Sequence, residues 1–396
     1  MIKRIFWKKH LPEISQRWRL ICIAGPRQVG KTTFLKQEGS YFSFDDPKLR
    51  REIQPDPVHW LETEFLKGNR IILDEATRLP DLFDAMKILS DKYPAIKGRI
   101  WFASSSNYQL NMRIRESLAG RAFLYQVSPF LLSELEQNSE PAFYQWLLGR
   151  KIARLCVDPK RYISTALRFS LFPDPFLSKD ETLASEWLKQ YITTYILQDL
   201  VEGFPRTDFA KWQAFIGLLF SYPAQIIPLN RIASPLEIHH HTAKQYLSMA
   251  IASHLCQELP VYSASTLKRI TKGPKYVMID SALCRAVSGN ISEGPLLENF
   301  ALSQILGFLN SALIPYKAYH WRTADEAEVD LVLEGDFGIV PIEIKTTREV
   351  TLRMLSGIKS FLEAHPKAKR GCLFYQGSEV KKIGNIACLP LSTLFC

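Results

Sequence analysis

Over the first 150 positions, apolar residues gather in short unbroken runs separated by stretches of helical period. Five such runs, 20–24, 41–44, 70–73, 99–103 and 122–127, are too short for helices and show little apolar–polar alternation. That pattern predicts strands buried on both faces, hence a parallel sheet with flanking helices. Leu82 to Leu89 has apolar residues at helical spacing and predicts a helix between the third and fourth strands. Pro129 to Leu135 predicts the start of another after the fifth.

From about 150 to 260 the period becomes helical. Ser185–Leu200 reads as an amphipathic helix and Asp208–Ser221 as an apolar one, with Pro173, Pro175 and the polar run 178–181 marking a linker before them. Leu229–Leu259 reads as a small helix, a turn and a longer helix beginning near His241, an arrangement similar to a winged-helix module. Thr242–Leu247 would open its recognition helix. Residues 259–277 would form the wing, with Lys268, Arg269, Lys272 and Lys275 facing a phosphate backbone. The alternative is a module that packs on the first domain or self-associates. His239, His240 and His241 lack a partner cluster and fit turn and cap chemistry better than a metal site. In the last hundred residues, 329–334 and 339–345 predict a hairpin turning through Gly335–Gly338. A period of two puts Glu343 and Lys345 on one face of its second strand, with Asp330 able to meet Glu343 from the first. The expected division is 1–150 P-loop domain, 151–184 linker, 185–280 helical winged-helix-like region and 281–396 a second α/β domain.

Chemistry concentrates where the first strand ends. Gly25, Pro26, Arg27, Gln28, Val29, Gly30, Lys31 and Thr32 fit G-x-x-x-x-G-K-[ST] between a strand and a helix, and Thr33 continues the helix start. Backbone N–H groups of such a loop cradle phosphates, the lysine reaches the β- and γ-phosphates, and the threonine hydroxyl serves Mg²⁺. This marks the stretch as a candidate ATP site. The third strand ends in Asp74-Glu75: Asp74 suits the Mg²⁺ shell or a helix cap, and Glu75 suits polarising water toward the γ-phosphate. Ser105, in the Ser104–Asn107 strand end, is a candidate γ-phosphate contact or an ordinary turn residue. Arg121 is a candidate charge-stabilising arginine, in cis or toward a neighbouring subunit, or a surface arginine. The phosphate loop, Asp74-Glu75 and Ser104–Asn107 all follow strand ends, where ligands of open α/β sheets bind.

Together GPRQVGKTT at 25–33, Asp45-Asp46-Pro47, Ile71–Glu75 with Pro80, Ser105–Asn107 and Ser117–Arg121 resemble the prokaryotic AAA-type ATPases with a C-terminal restriction-endonuclease-like domain of unknown function. The resemblance covers nearly the whole chain. It departs at Ala76-Thr77, where the family usually has an apolar residue and Gln, and at Ala103-Ser104, where it usually has Thr-Gly. It implies an ATP-binding, Mg²⁺-dependent ATPase joined to a nucleic-acid-binding domain. Trp321-Arg322 also matches the family. Glu298, Asp330, Glu343 and Lys345 follow the endonuclease-like order, in which the carboxylates hold Mg²⁺ against a scissile phosphate and the lysine positions or activates water. The alternative is a nucleotide-controlled DNA- or protein-binding switch whose nuclease-like site does not cleave.

Composition adjusts this picture only slightly. A net charge of +10 over 396 residues allows an acidic partner such as nucleic acid without demanding one. Seven cysteines without a C-x-x-C pair favour reduced thiols over a disulfide framework or zinc site. A signal-peptide core and an apolar run long enough to span a bilayer are both missing, which points to a cytoplasmic protein with no membrane partner. AAA-type ATPases often assemble, so a homo-oligomer is compatible with the reading. A small-molecule kinase would use the same loop but leaves half the chain without a role.

Overall fold

A computed structural model describes residues 2–104, 110, 112–152, 159–196, 207–263, 273–323 and 327–396. All five expected strands form, each within one residue of its expected ends: β1 (Leu20–Ala24), β2 (Ser40–Ser43), β3 (Ile71–Asp74), β4 (Ile100–Ser104) and β5 (Ala122–Gln126). They make one parallel sheet of order β2-β3-β4-β1-β5. β1, β3 and β4 are buried along their whole length, as their unbroken apolar sequences require. Helix α1 (Ile5–Arg17) precedes the sheet, α2 (Lys31–Leu35) follows β1, α3 (Pro47–Ile53) and α4 (Pro57–Leu66) follow β2, and α5 (Asp81–Lys92) joins β3 to β4. Asp46 and Asp56 cap α3 and α4, each before a proline at the first helical position.

After β5 come α6 (Leu132–Leu135) and α7 (Ala142–Leu147), and then the stretch expected as a linker. It is folded instead: α8 (Pro159–Phe169) and α9 (Pro173–Ser178) lead into α10 (Glu181–Gln190), and Phe172 is fully buried. Pro173 starts a helix, a position where its missing N–H costs nothing. The Leu171 N–H donates to Asp280 Oδ2 at 2.9 Å and its carbonyl accepts from Phe130 at 2.8 Å, tying this stretch to both neighbours.

The middle region holds α11 (Phe209–Phe220), α12 (Asn230–Ala233) and α13 (His240–Ala252), with β6 (Gln225–Ile226), β7 (Cys256–Leu259) and β8 (Lys275–Met278) in an antiparallel sheet of order β6-β8-β7. Lys268, Arg269 and Lys272 lie outside the described residues. Lys275 does not face solvent as a wing residue would; it is 1 % exposed. Then α14 (Ser281–Ser288) and α15 (Glu293–Ser311) lead into β9 (Tyr316–Arg322), β10 (Glu328–Gly335), β11 (Gly338–Ile344), α16 (Ser356–Ala364), β12 (Gly371–Tyr375), β13 (Lys381–Ile383) and β14 (Ile386–Pro390). These six strands form a mixed sheet of order β13-β14-β12-β11-β10-β9. The β10–β11 hairpin is the expected one, turning through Asp336-Phe337 with Gly338 at φ +93°.

A shared apolar core joins the first sheet, the middle helices and the C-terminal sheet. Tyr125 on β5 donates to the Ser311 carbonyl at the end of α15 at 2.8 Å, and the Leu132 N–H donates to Gln304 Oε1 at 2.8 Å. Cys22, Cys256, Cys284, Cys372 and Cys388 are free and buried, whereas Cys396 is disulfide-bonded. Among the described residues no helix is long and apolar enough to cross a membrane.

Candidate functional site

At the end of β1 the chain turns tightly over the end of β5. A Cβ on Gly25 would fall 2.4 Å from the Val127 carbonyl oxygen, so only glycine fits. Gln28 and Gly30 take left-handed conformations at φ +62° and +91°, which turns the loop back into α2. Lys31 is 5 % exposed, and its Nζ donates to the Gly25 and Pro26 carbonyls at 2.8 and 2.7 Å. The candidate cation thus rests on the rim of its own loop.

Asp74 ends β3, nearly fully buried. Its Oδ2 accepts from Thr32 Oγ1 and from the Tyr41 hydroxyl, both at 2.6 Å, and its Oδ1 accepts from the Glu75 N–H at 3.2 Å. So Thr32 and Asp74, forty-two positions apart, meet as the motifs require. Burial and the bond to Asp74 push the Tyr41 hydroxyl well above its usual pKa, which keeps it a donor. Glu75 itself stands at φ +52°, a conformation that costs a non-glycine residue on the order of 1 kcal/mol or more. Two hydroxyls at the departures from the family pattern meet each other: Thr77 Oγ1 and Ser104 Oγ lie 2.9 Å apart. Ser105 falls outside the described residues. Arg121 is not at this site within one chain. Its carbonyl accepts from Leu20 at the start of β1, so it sits at the opposite end of the sheet, held bidentate by Asp91 at 2.8 Å for each bond.

Three residues that the motifs did not reveal lie around the loop. Tyr41 is one. Arg4, 6 % exposed, donates to the Val29 carbonyl at 3.0 Å, the Ser128 carbonyl at 2.8 Å and Glu134 Oε1 at 3.1 Å, with its guanidinium 4.0 Å over the Trp7 ring. Burial raises the pKa of Glu134, and Arg4 pulls it back. His254, at the turn before β7, has a buried Nε2 without a hydrogen-bond partner among the described residues. Burial and the nearby Lys31 charge push its pKa down to about 3, so the ring is neutral. With Pro26, Ser128 and Ser311 it borders a cavity of about 130 Å³ behind the loop. An isolated histidine or arginine carries no sequence signal of such a contact.

A second polar cluster lines a pocket of about 520 Å³ in the C-terminal sheet. Glu298 comes from the second turn of α15, Asp330 from β10, Glu343 and Lys345 from the end of β11 and just beyond it. The expected four do converge. The Ile344 N–H donates to Asp330 Oδ2 at 2.9 Å, and Lys345 Nζ donates to Glu343 Oε1. The unexpected member is Lys275 of β8, whose Nζ lies 2.7 Å from Glu298 Oε1, 3.1 Å from Asp330 Oδ1 and 3.4 Å from Glu328 Oε1. Glu343 Oε2 is buried with no hydrogen-bond partner among the described residues. Burial opposes the charge on Lys275, but its three carboxylates outweigh that and hold its pKa above the lysine value. Burial and the Asp330 charge push Glu298 and Glu343 each up to about 8. Burial also works against Asp330, yet Lys275, Lys345 and the Ile344 N–H keep its pKa low.

An all-oxygen donor set with an orphaned carboxylate oxygen has the chemistry for a hard divalent ion. The arrangement does not: the Lys275 ammonium already bridges Glu298 and Asp330, two of the three candidate ligands. Among the described residues no group of His, Cys, Asp and Glu is disposed to hold a metal.

Residues 17–136 match the AAA domain family, residues 160–293 a domain of unknown function (DUF8612) and residues 293–394 another (DUF4143). The N-terminal region is therefore an AAA-type P-loop domain. The chain is 28 % identical over 361 residues to the uncharacterized protein Rv2008c of Mycobacterium tuberculosis, covering 88 % of this chain and 75 % of that one. It is 23 % identical over 333 residues to the uncharacterized protein MJ1544 of Methanocaldococcus jannaschii, covering 79 % and 72 %. Among solved structures it is similar to the Walker-type ATPase PABY2304 of Pyrococcus abyssi, with TM-score 0.46, 14 % identity and coverage of 72 % of this chain and 96 % of that one. Identity and superposition are too low for that neighbour's properties to transfer.

Proposed function

We propose that the protein is a Mg²⁺-dependent ATPase whose nucleotide state governs how its middle and C-terminal regions engage nucleic acid. The observation that carries the ATPase half is the Thr32–Asp74 hydrogen bond, which joins the two separate motifs at one point. Thr32 Oγ1 and the Asp74 carboxylate offer the hydroxyl and carboxylate oxygens that suit Mg²⁺. Bound there, the ion would neutralise charge on the β- and γ-phosphate oxygens. Lys31 exchanges its two carbonyl partners for phosphate oxygens, and loop N–H groups hold the remaining ones. Glu75 orients the attacking water, and the Thr77–Ser104 pair offers a hydroxyl at the end of β4 where the family carries its usual threonine. Arg121 serves catalysis only from a neighbouring copy, after leaving Asp91, so that role carries a homo-oligomer with it.

The nucleic-acid half draws on the net charge of +10 and on α13, whose His240, His241, Lys244, Gln245 and Ser248 are exposed while Ala243, Tyr246 and Leu247 face the core. Cleavage at the C-terminal pocket would need Lys275 to leave, because that ammonium occupies the carboxylate oxygens a metal would need. This favours control over cutting as the role of the resting molecule. Calorimetric titration of ATP with Mg²⁺ into wild type and Asp74→Asn tests the first half; equal heats from both would overturn it. DNA binding at rising salt, with and without ATP, tests the second. A steep salt slope that shifts with nucleotide is expected, and no binding at low salt removes nucleic acid as partner.

A further inference from the structure

The C-terminal pocket poses a chemical puzzle. Three carboxylates and an orphaned oxygen of a fourth converge where a hard cation would be at home, and the cation present is covalently part of the chain. Lys275 reaches the pocket from the three-stranded sheet of the middle region, whereas its partners stand on α15 and β10. Its side chain is 1 % exposed. An ammonium so buried persists only where opposite charges offset its lost hydration. Three oxygens within 3.4 Å do so.

We propose that Lys275 is the resident cation of this pocket, standing where a divalent ion would sit among Glu298, Asp330 and Glu343, so that metal enters only when the lysine is removed. The proposal concerns the C-terminal pocket alone and stands whether or not the chain hydrolyses ATP. It assigns β8 a restraining role: a residue of the middle region decides whether the C-terminal carboxylates are available. Geometry supports competition over coexistence. Glu298 Oε1 and Asp330 Oδ1 each lie within hydrogen-bond reach of one Nζ, so an ion binding both oxygens must displace it. Asp330 Oδ2 is already engaged by the Ile344 N–H.

The test is Mn²⁺ binding by the full chain without nucleotide, read by loss of the free-ion spin-resonance signal. An Asp74→Asn background silences the N-terminal site. Lys275→Met is expected to gain one Mn²⁺ site at least about tenfold tighter than anything in the Lys275 protein. Adding Asp330→Asn should abolish that site. The proposal is overturned if the protein with Lys275 intact already binds Mn²⁺ tightly in an Asp330-dependent manner, or if Lys275→Met gains no site. Should Lys275→Met be recovered unfolded, refolding with and without Mn²⁺ decides instead. Recovery in Mn²⁺ supports replacement of one cation by another, and failure in both overturns it.

Discussion

Among the described residues Lys31 and Lys275 are buried beside polar partners, and those partners differ in kind. Lys31 leans on two neutral carbonyls of its own loop, while Lys275 is gripped by three carboxylates from two other elements. A hydrogen bond to a carbonyl is readily exchanged for a stronger one to phosphate, so Lys31 is poised to change partners. Pulling Lys275 away leaves buried carboxylates uncompensated, which costs several kcal/mol unless another cation arrives. On the proposed reading, the first arrangement suits turnover and the second restraint.

The sharpest separation of the two pockets comes from removing a lysine from each, Lys31 from the first and Lys345 from the second. Lys31→Ala should lower ATPase turnover by roughly 10²–10³-fold, the usual effect of losing a charge stabiliser aimed at the transition state. Lys345→Ala should leave turnover unchanged, because Lys345 lies in the other pocket. A steady-state phosphate-release assay on both variants checks this, and a comparable loss from Lys345→Ala would break the division. Next in size is Arg4→Ala, which strands buried Glu134 and frees the Val29 carbonyl. Unfolding stability should fall by about 3–5 kcal/mol in denaturant titration. A loss under about 1 kcal/mol would mean that Arg4 does not brace the loop.

Protonation offers a third contrast, because the two pockets respond to pH with opposite sign. His254 has its pKa depressed to about 3 from an unfolded value of 6.5. The unfolded chain therefore binds the extra proton first, and stability drops as pH falls from 6.5 toward 3, by up to about 1.4 kcal/mol per unit. Glu298 and Glu343, raised to about 8 from 4.5, do the reverse. Their contribution is present below pH 4.5 and is lost as pH rises toward 8. His254→Gln should flatten the acid limb of the stability profile and leave the limb above pH 6.5 as it was. An unchanged acid limb would show that the ring is not buried uncharged beside Lys31.

Much of this architecture is legible in the sequence where the signal is local. Buried parallel strands are written as unbroken apolar runs, and β1, β3 and β4 were readable for that reason, while the edge strands β2 and β5 are only partly buried. The phosphate loop and the β10–β11 hairpin are contiguous too. Arg4 and Lys275 illustrate what is not legible, since neither has a neighbour in sequence that predicts its partners. Lys275 read as one basic residue among four on a wing, yet its β8 position turns it inward onto carboxylates 23 and 55 residues away. The proline-marked linker misled for a related reason: Pro173 opens a helix as easily as it ends one, and only the burial of Phe172 settles which.

The smallest expected effect concerns the two departures from the family pattern. Thr77 and Ser104 each look like a loss when read singly, one of a glutamine and the other of a threonine-glycine pair. The 2.9 Å contact between their hydroxyls makes them one feature. If the pair holds the end of β4 against the turn after Asp74-Glu75, then Thr77→Val and Ser104→Ala should each cost stability, and the double variant should cost less than their sum. The coupling should be about 0.5–1.5 kcal/mol, the net value of one hydrogen bond. ATPase turnover should follow the same non-additive pattern, because the turn that carries Glu75 would be loosened once, by either change. Strict additivity in both stability and turnover would separate the two positions and return each to an independent departure. Thr77→Gln alone is a further discriminator: it restores the family residue but removes the partner of Ser104, so turnover should fall in the wild-type background and recover when Ala103→Thr and Ser104→Gly restore the family pair as well.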